Sequence, residues 1–210
     1  MGYEKSSYSP IYFPEIWNNS KYIKYTHNCY EYALDDISLK EASVCKKNYN
    51  KWDNFDSIKK TCKRTNTFSQ PGYYGKLGKN KKVTCENLKT RILADNSNNA
   101  TNMKCSENNN KSPICISNKN EKCAKNYYKI ASVADEKNNY FHFYRQNIDG
   151  TWSHKPGSTP ATNLDESNKL ITNLENADMM VNDKMNYKIC NYFCVASNKY
   201  MNTNSSSKVL

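Results

Sequence analysis

One cysteine and two histidines have the types that nucleophilic chemistry needs. Cys29 lies early, in THNCYEYAL, and His142 and His154 lie late, in YFHFYRQNIDGTWSHKPGSTPATNLD, the densest aromatic run of the chain. The third histidine, His27, stands two residues before Cys29. A thiol attacks as the thiolate, so it needs a base, and the base needs a partner that fixes its ring. An early cysteine and late histidines are an order in which such partners meet in the fold and not in the sequence. The competing reading is a cysteine that fills a core as a small apolar residue.

The local pattern around Cys29 decides what the fold must supply. Tyr30, Ala33 and Leu34 share one helical face and Asn28 is a fitting N-cap, so Cys29 falls in the first turn of a short helix. There the unpaired N–H groups and the helix dipole favour a thiolate. The histidines must come from strands. Tyr127 to Asp135 and Tyr140 to Gln146 read as two strands joined by a polar turn, and Asp149-Gly150 turns the second into Thr151-Trp152-Ser153-His154. Side chains alternate along a strand, so His142 and Tyr144 face one way, and Phe141, Phe143 and Arg145 the other. A loop of Asp149-Gly150 alone pairs His154 with Arg145 and turns it away from His142. A loop of Ile148-Asp149-Gly150, with Gly150 left-handed, pairs His154 with Tyr144 and puts both histidines on one face. A site built on both rings requires the second register.

The remaining segments bound the domain. Residues 1–19 read as an extended arm in which Pro10 and Pro14 prevent regular structure, and residues 20–196 as a single domain. Lys46 to Lys63 reads as a short surface helix or loop, and a Pro71-Gly72 turn follows Gln70. Thr84 caps a helix over 85–94 with Leu88, Ile92 and Leu93 as its apolar stripe. Residues 95–125 form an Asn-rich, strand-poor excursion, residues 155–183 are irregular, Tyr187 to Val195 closes the sheet, and 197–210 is a flexible tail.

Composition limits the partners. The chain of 210 residues carries a formal charge of +11, with 28 Lys against 3 Arg, and 32 Asn. The Lys is dispersed, whereas a base reader is expected to cluster Arg forks, so the expectation is a basic surface without sequence-specific nucleic-acid recognition. Arg145 is expected to pair with Asp165 or Asp178. No stretch reaches the roughly 20 apolar residues of a membrane span. Nine cysteines are present. With Cys29 free, the other eight form an even set with on the order of a hundred pairings, which points to an oxidising compartment. No C-x-x-C occurs and the close pair Cys190 and Cys194 has no neighbouring histidine, so neither a zinc site nor another cofactor is expected.

These residues resemble a family. Asn28-Cys29-Tyr30, the His142 strand and the His154 strand are similar to the cysteine, histidine and third polar residue of papain-like thiol hydrolases, in particular NlpC-type peptidases and CHAP amidases. NCYEYA, RTNTFSQPG, HFYRQNIDGTWSHKPGSTPATNLD and CNYFCV resemble, in this order, a group of bacterial and large-DNA-virus proteins. The resemblance implies an α+β, papain-like fold with an N-terminal nucleophile helix packed on an antiparallel β-sheet. It also implies Cys29 as nucleophile, His142 as base and His154 as the residue that orients it. The position of the papain oxyanion glutamine falls on Ile23, so the second oxyanion donor is expected from Gln70 or His27. The implied substrate is a protein or peptide amide. The alternative is a catalytically silent papain-like structural protein, such as a minor capsid component of a large DNA virus, docking on acidic protein surfaces through its basic surface and aromatic arm.

Overall fold

A computed structural model describes residues 9–48, 62, 70–78, 82–95, 104–105, 112–181 and 184–197. Its fold is α+β: helices lead and an antiparallel sheet follows. The helices are α1 (Glu15–Asn18), α2 (Lys21–Thr26), α3 (Cys29–Ala33), α4 (Leu39–Asn48) and α5 (Cys85–Ala94). The strands are β1 (Ile114–Ser117), β2 (Tyr127–Asp135), β3 (Tyr140–Gln146), β4 (Trp152–His154), β5 (Met180–Val181), β6 (Met185–Asn186) and β7 (Lys188–Ala196). Five of them form one sheet in the order β1-β7-β2-β3-β4, and β5 and β6 pair separately.

Every pairing in the large sheet is antiparallel. Alternation along the strands splits the core into two layers. Tyr128, Ile130, Phe143 and Phe193 pack with Tyr30 and Ala33 of α3 and with Leu88, Ile92 and Leu93 of α5. On the opposite face Ala131, Val133, Tyr144 and Tyr192 pack with Trp152, Ile171, Leu174 and Met179. Covered on both sides, β2 is buried along its whole length.

α3 is too short to be stable by itself. Its start is fixed by a capping box: Asn28 Oδ1 accepts from the N–H groups of Tyr30 (2.8 Å) and Glu31 (3.1 Å), and Glu31 Oε2 accepts from Asn28 N–H (2.8 Å). Its length is fixed by the sheet. Tyr128 Oη donates to Ala33 O at 3.0 Å, and Tyr32 Oη donates to Ser153 Oγ at 2.8 Å. Past the C-cap, Asp35 adopts a left-handed φ of 53° and accepts from Arg145 Nη1 at 2.6 Å. The Arg145 guanidinium lies 4.2 Å from the Tyr32 ring centroid. The expected partners Asp165 and Asp178 are instead tied into their own loop, where Asp178 Oδ2 accepts from Ser167 Oγ and Asp165 Oδ2 from Asp178 N–H.

Four disulfides clamp the layers: Cys45–Cys62, Cys85–Cys190, Cys105–Cys115 and Cys123–Cys194, with Cys29 free. Such bridging is consistent with an oxidising compartment. Among the described residues, no helix is long and apolar enough to cross a membrane.

Several local expectations are corrected. Pro14 does not prevent structure but starts α1, which carries a buried Trp17. Proline fits a helix start, where its missing N–H has no partner to lose. Residues 114–117 of the Asn-rich excursion form β1, held by β7 and by the two bridges of Cys115 and Cys194. β7 therefore lies inside the sheet between β1 and β2, not at its edge. α4 covers the start of the Lys-rich segment, and most of 49–63 and all of 198–210 lie outside the described residues.

Candidate active site

β3 and β4 position the histidines. The loop is Ile148-Asp149-Gly150: Asn147 N–H donates to Thr151 O at 2.8 Å, Gly150 has φ 89°, and Tyr144 pairs with His154. His142 and His154 thus share a face, and His142 Nε2 lies 2.8 Å from His154 Nδ1. His154 Nε2 lies 2.9 Å from Leu164 O, which can only accept. The tautomers follow in sequence. His154 Nε2–H donates to the carbonyl, His154 Nδ1 is then an acceptor, His142 Nε2–H donates to it, and the lone pair of His142 falls on Nδ1. The Tyr144 ring stacks on His154 at 4.7 Å, and His142 meets Tyr144 edge-on at 5.2 Å.

Cys29 reaches the same strand from α3. His154 turns its N–H and C=O outward to Thr162, both at 2.8 Å. In an antiparallel ladder the groups of residue 143 therefore point toward the β4 side, one position past the end of the β3–β4 pairing. There the Phe143 N–H faces the Cys29 thiol, and so does the thiol's own N–H, one of the unpaired donors of the helix start. No hydrogen bond joins the thiol to either imidazole among the described residues.

Burial sets the charges. Cys29 is 7% exposed. Burial pushes its thiol up to about 12, against the pull of Lys155 and of the two N–H groups. Burial, then His154 and Lys155, hold the His142 imidazole well below its ordinary value. Burial also lowers His154, against the Leu164 carbonyl and Asp165. The resting pair is thus thiol and neutral imidazole.

The oxyanion candidates lie apart. His27 is fully buried, with Nδ1 3.0 Å from Ile23 O and Nε2 accepting from Ser38 N–H at 2.8 Å, so both ring nitrogens are engaged in the fold. Gln70 is exposed on a turn tied to α3 through Asp95, whose Oδ2 accepts from Gly72 N–H (2.8 Å) and Tyr30 Oη (2.7 Å). The sulfurs of Cys105, Cys115 and Cys194 lie within 4.8 Å of one another, but all three are bonded in disulfides and offer no thiolate to a metal.

Two residues near the thiol escape sequence reading. Lys155, directly after His154, and Tyr187, whose ring is 6.0 Å from that of His142, both act electrostatically on or with Cys29. Nothing local in HKPG marks Lys155 as interior, nor in NYKIC marks Tyr187 as half-buried beside the histidines. Comparison of the chain with family models, with curated proteins and with solved structures finds no match.

Proposed function

We propose that the chain is a papain-like cysteine hydrolase acting on an amide bond of a protein or peptide. The observation that carries this reading is the proton chain from His142 through His154 to the Leu164 carbonyl, which leaves His142 Nδ1 as the basic nitrogen on the strand that meets Cys29. In turnover the thiol S–H breaks and its proton passes to His142 Nδ1. The sulfur adds to the substrate carbonyl, the protonated imidazole delivers the proton to the leaving amine, and water releases the acyl group. The Cys29 N–H is one oxyanion donor, and Gln70 is the side chain left for the second, since the ring of His27 is engaged. No cofactor enters.

A second reading is favoured by the closed site. With Cys29 and the three histidines all at most 7% exposed, the same constellation serves a catalytically silent structural protein, such as a minor capsid component docking on acidic protein surfaces. Either reading places the protein in a virion or an oxidising compartment, with protein partners and no sequence-specific nucleic acid.

A peptidyl acyloxymethyl ketone at pH 7.5 separates the two. An adduct on Cys29, found by mass spectrometry and lost in His142→Ala, supports the hydrolase. No adduct, or one indifferent to His142, supports the silent protein.

A further inference from the structure

Lys155 is fully buried at the end of β4. A buried ammonium is costly unless its protons find acceptors. Here Nζ donates to Lys24 O at 2.8 Å, His27 O at 2.7 Å and Gly157 O at 2.6 Å. Three acceptors around one nitrogen match an ammonium. A neutral amine has only two N–H groups and would set its lone pair against a carbonyl oxygen. The geometry of the cage suits the charged form but supplies no charge of its own to offset its burial, and among the described residues no carboxylate forms an ion pair with Lys155.

The placement of the cage matters as much as its charge. Lys24 and His27 belong to α2 and the turn that delivers Cys29, whereas Lys155 follows His154 directly. One side chain thus ties the nucleophile's helix start to the end of the histidine hairpin. The charged and titratable groups acting on this pair are few. Lys155 draws the Cys29 thiol down and Glu31 pushes it up. Burial pushes the Lys155 ammonium down to about 7, against the support of Cys29 and Glu31, and Lys24 adds to the fall. Lys155 also disfavours charge on the rings of His27 and His142, and Cys29 acts on the Tyr144 and Tyr187 hydroxyls.

We propose that Lys155 is the positioning residue of the site, its caged ammonium holding the Cys29 turn against the histidine hairpin and serving as counter-ion to the Cys29 thiolate. The role of that thiolate as a nucleophile rests on the hydrolase reading, but its pairing with Lys155 does not. In the hydrolase, the S–H proton passes to His142 Nδ1 and the electron pair stays on sulfur, so below about pH 7, where Lys155 holds its proton, the negative charge forms beside an ammonium already in place.

All eight other cysteines are bonded, so iodoacetamide without reductant reads Cys29 alone. In Lys155→Met, with the four bridges and the circular dichroism unchanged, alkylation below about pH 7, where Lys155 is an ammonium, is about tenfold slower than in wild type, and the two rates converge at higher pH. Lys155→Arg, which keeps the charge, falls between Lys155→Met and wild type. A folded Lys155→Met with the wild-type profile overturns the proposal. His142→Ala should leave this dependence of alkylation on Lys155 in place. If it also leaves the acyloxymethyl ketone adduct in place, the hydrolase reading fails while the cysteine–lysine pairing stands.

Discussion

Acidification should unfold this protein through a histidine that takes no part in the proposed chemistry. His27 is fully buried, with its Nε2 lone pair on the Ser38 N–H. Protonating Nε2 would set a donor against a donor, in a pocket that already holds the Lys155 ammonium. Burial above all, and then Lys155, hold this imidazole down from 6.5 to about 4, while the Ile23 carbonyl opposes them. The unfolded chain binds a proton near 6.5 and the folded one only near 4, so stability is complete above about 6.5, falls as pH drops toward 4, and levels below it. At about 1.4 kcal/mol per pH unit, the drop from 6.5 to about 4 removes about 3 kcal/mol over that window. His142 and His154 are lowered as well and steepen the same limb, whereas Asp95, raised by burial, opposes it. Lys155, at about 7, and Cys29, at about 12, change charge above the window.

The assay is urea unfolding with disulfides intact, at several pH values from 7.5 to 4, for wild type and His27→Gln. The variant should start less stable, because it loses the fitted ring, but its stability should fall with acid less steeply by about 1.4 kcal/mol per pH unit. Equal slopes for the two proteins would refute the assignment of this limb to His27.

Three further outcomes follow from the packing. The Cys85–Cys190 bridge closes a separation of 105 residues and joins α5 to β7, so the double variant Cys85→Ala, Cys190→Ala should lose about 4 kcal/mol in urea unfolding. Asp35→Ala strands the Arg145 guanidinium, which is 1% exposed, and discounted for the 40% exposure of the Asp35 side chain it should cost about 2 kcal/mol by thermal unfolding. Gly150→Ala meets open space, so its cost is the left-handed backbone alone, about 1 kcal/mol, and the NMR signature of the His142–His154 hydrogen bond should persist.

The fold was legible wherever local chemistry determines it. Asn28 and Thr84 begin helices because their side chains cap the N–H groups that a helix start leaves unpaired, and the sheet strands 127–135 and 140–146 announce themselves by aromatic and β-branched runs between turns. Long-range choices were not legible. Arg145 takes Asp35 and not Asp165 because α3 ends beside β3, a fact of packing that no spacing encodes. β1 is hidden because its four residues lie in a polar, Asn-rich excursion and its partner β7 is far along the chain, with two disulfides holding the pairing.

The site divides along the same line. A glycine able to take φ 89° permits a three-residue loop, the loop sets Tyr144 opposite His154, and that register alone brings the two rings to 2.8 Å. Each step is local, so the histidine pair can be read from the hairpin. The thiol's place depends instead on where β4 stops. Because β4 pairs with β3 only through residues 152–154, the Phe143 N–H is left for Cys29, and the next residue, Lys155, turns inward to the carbonyls of the cysteine's own turn. A lysine in a basic, Lys-rich chain reads as surface. Only the three converging carbonyls make it interior, and these come from segments more than a hundred residues apart, as well as from its own turn.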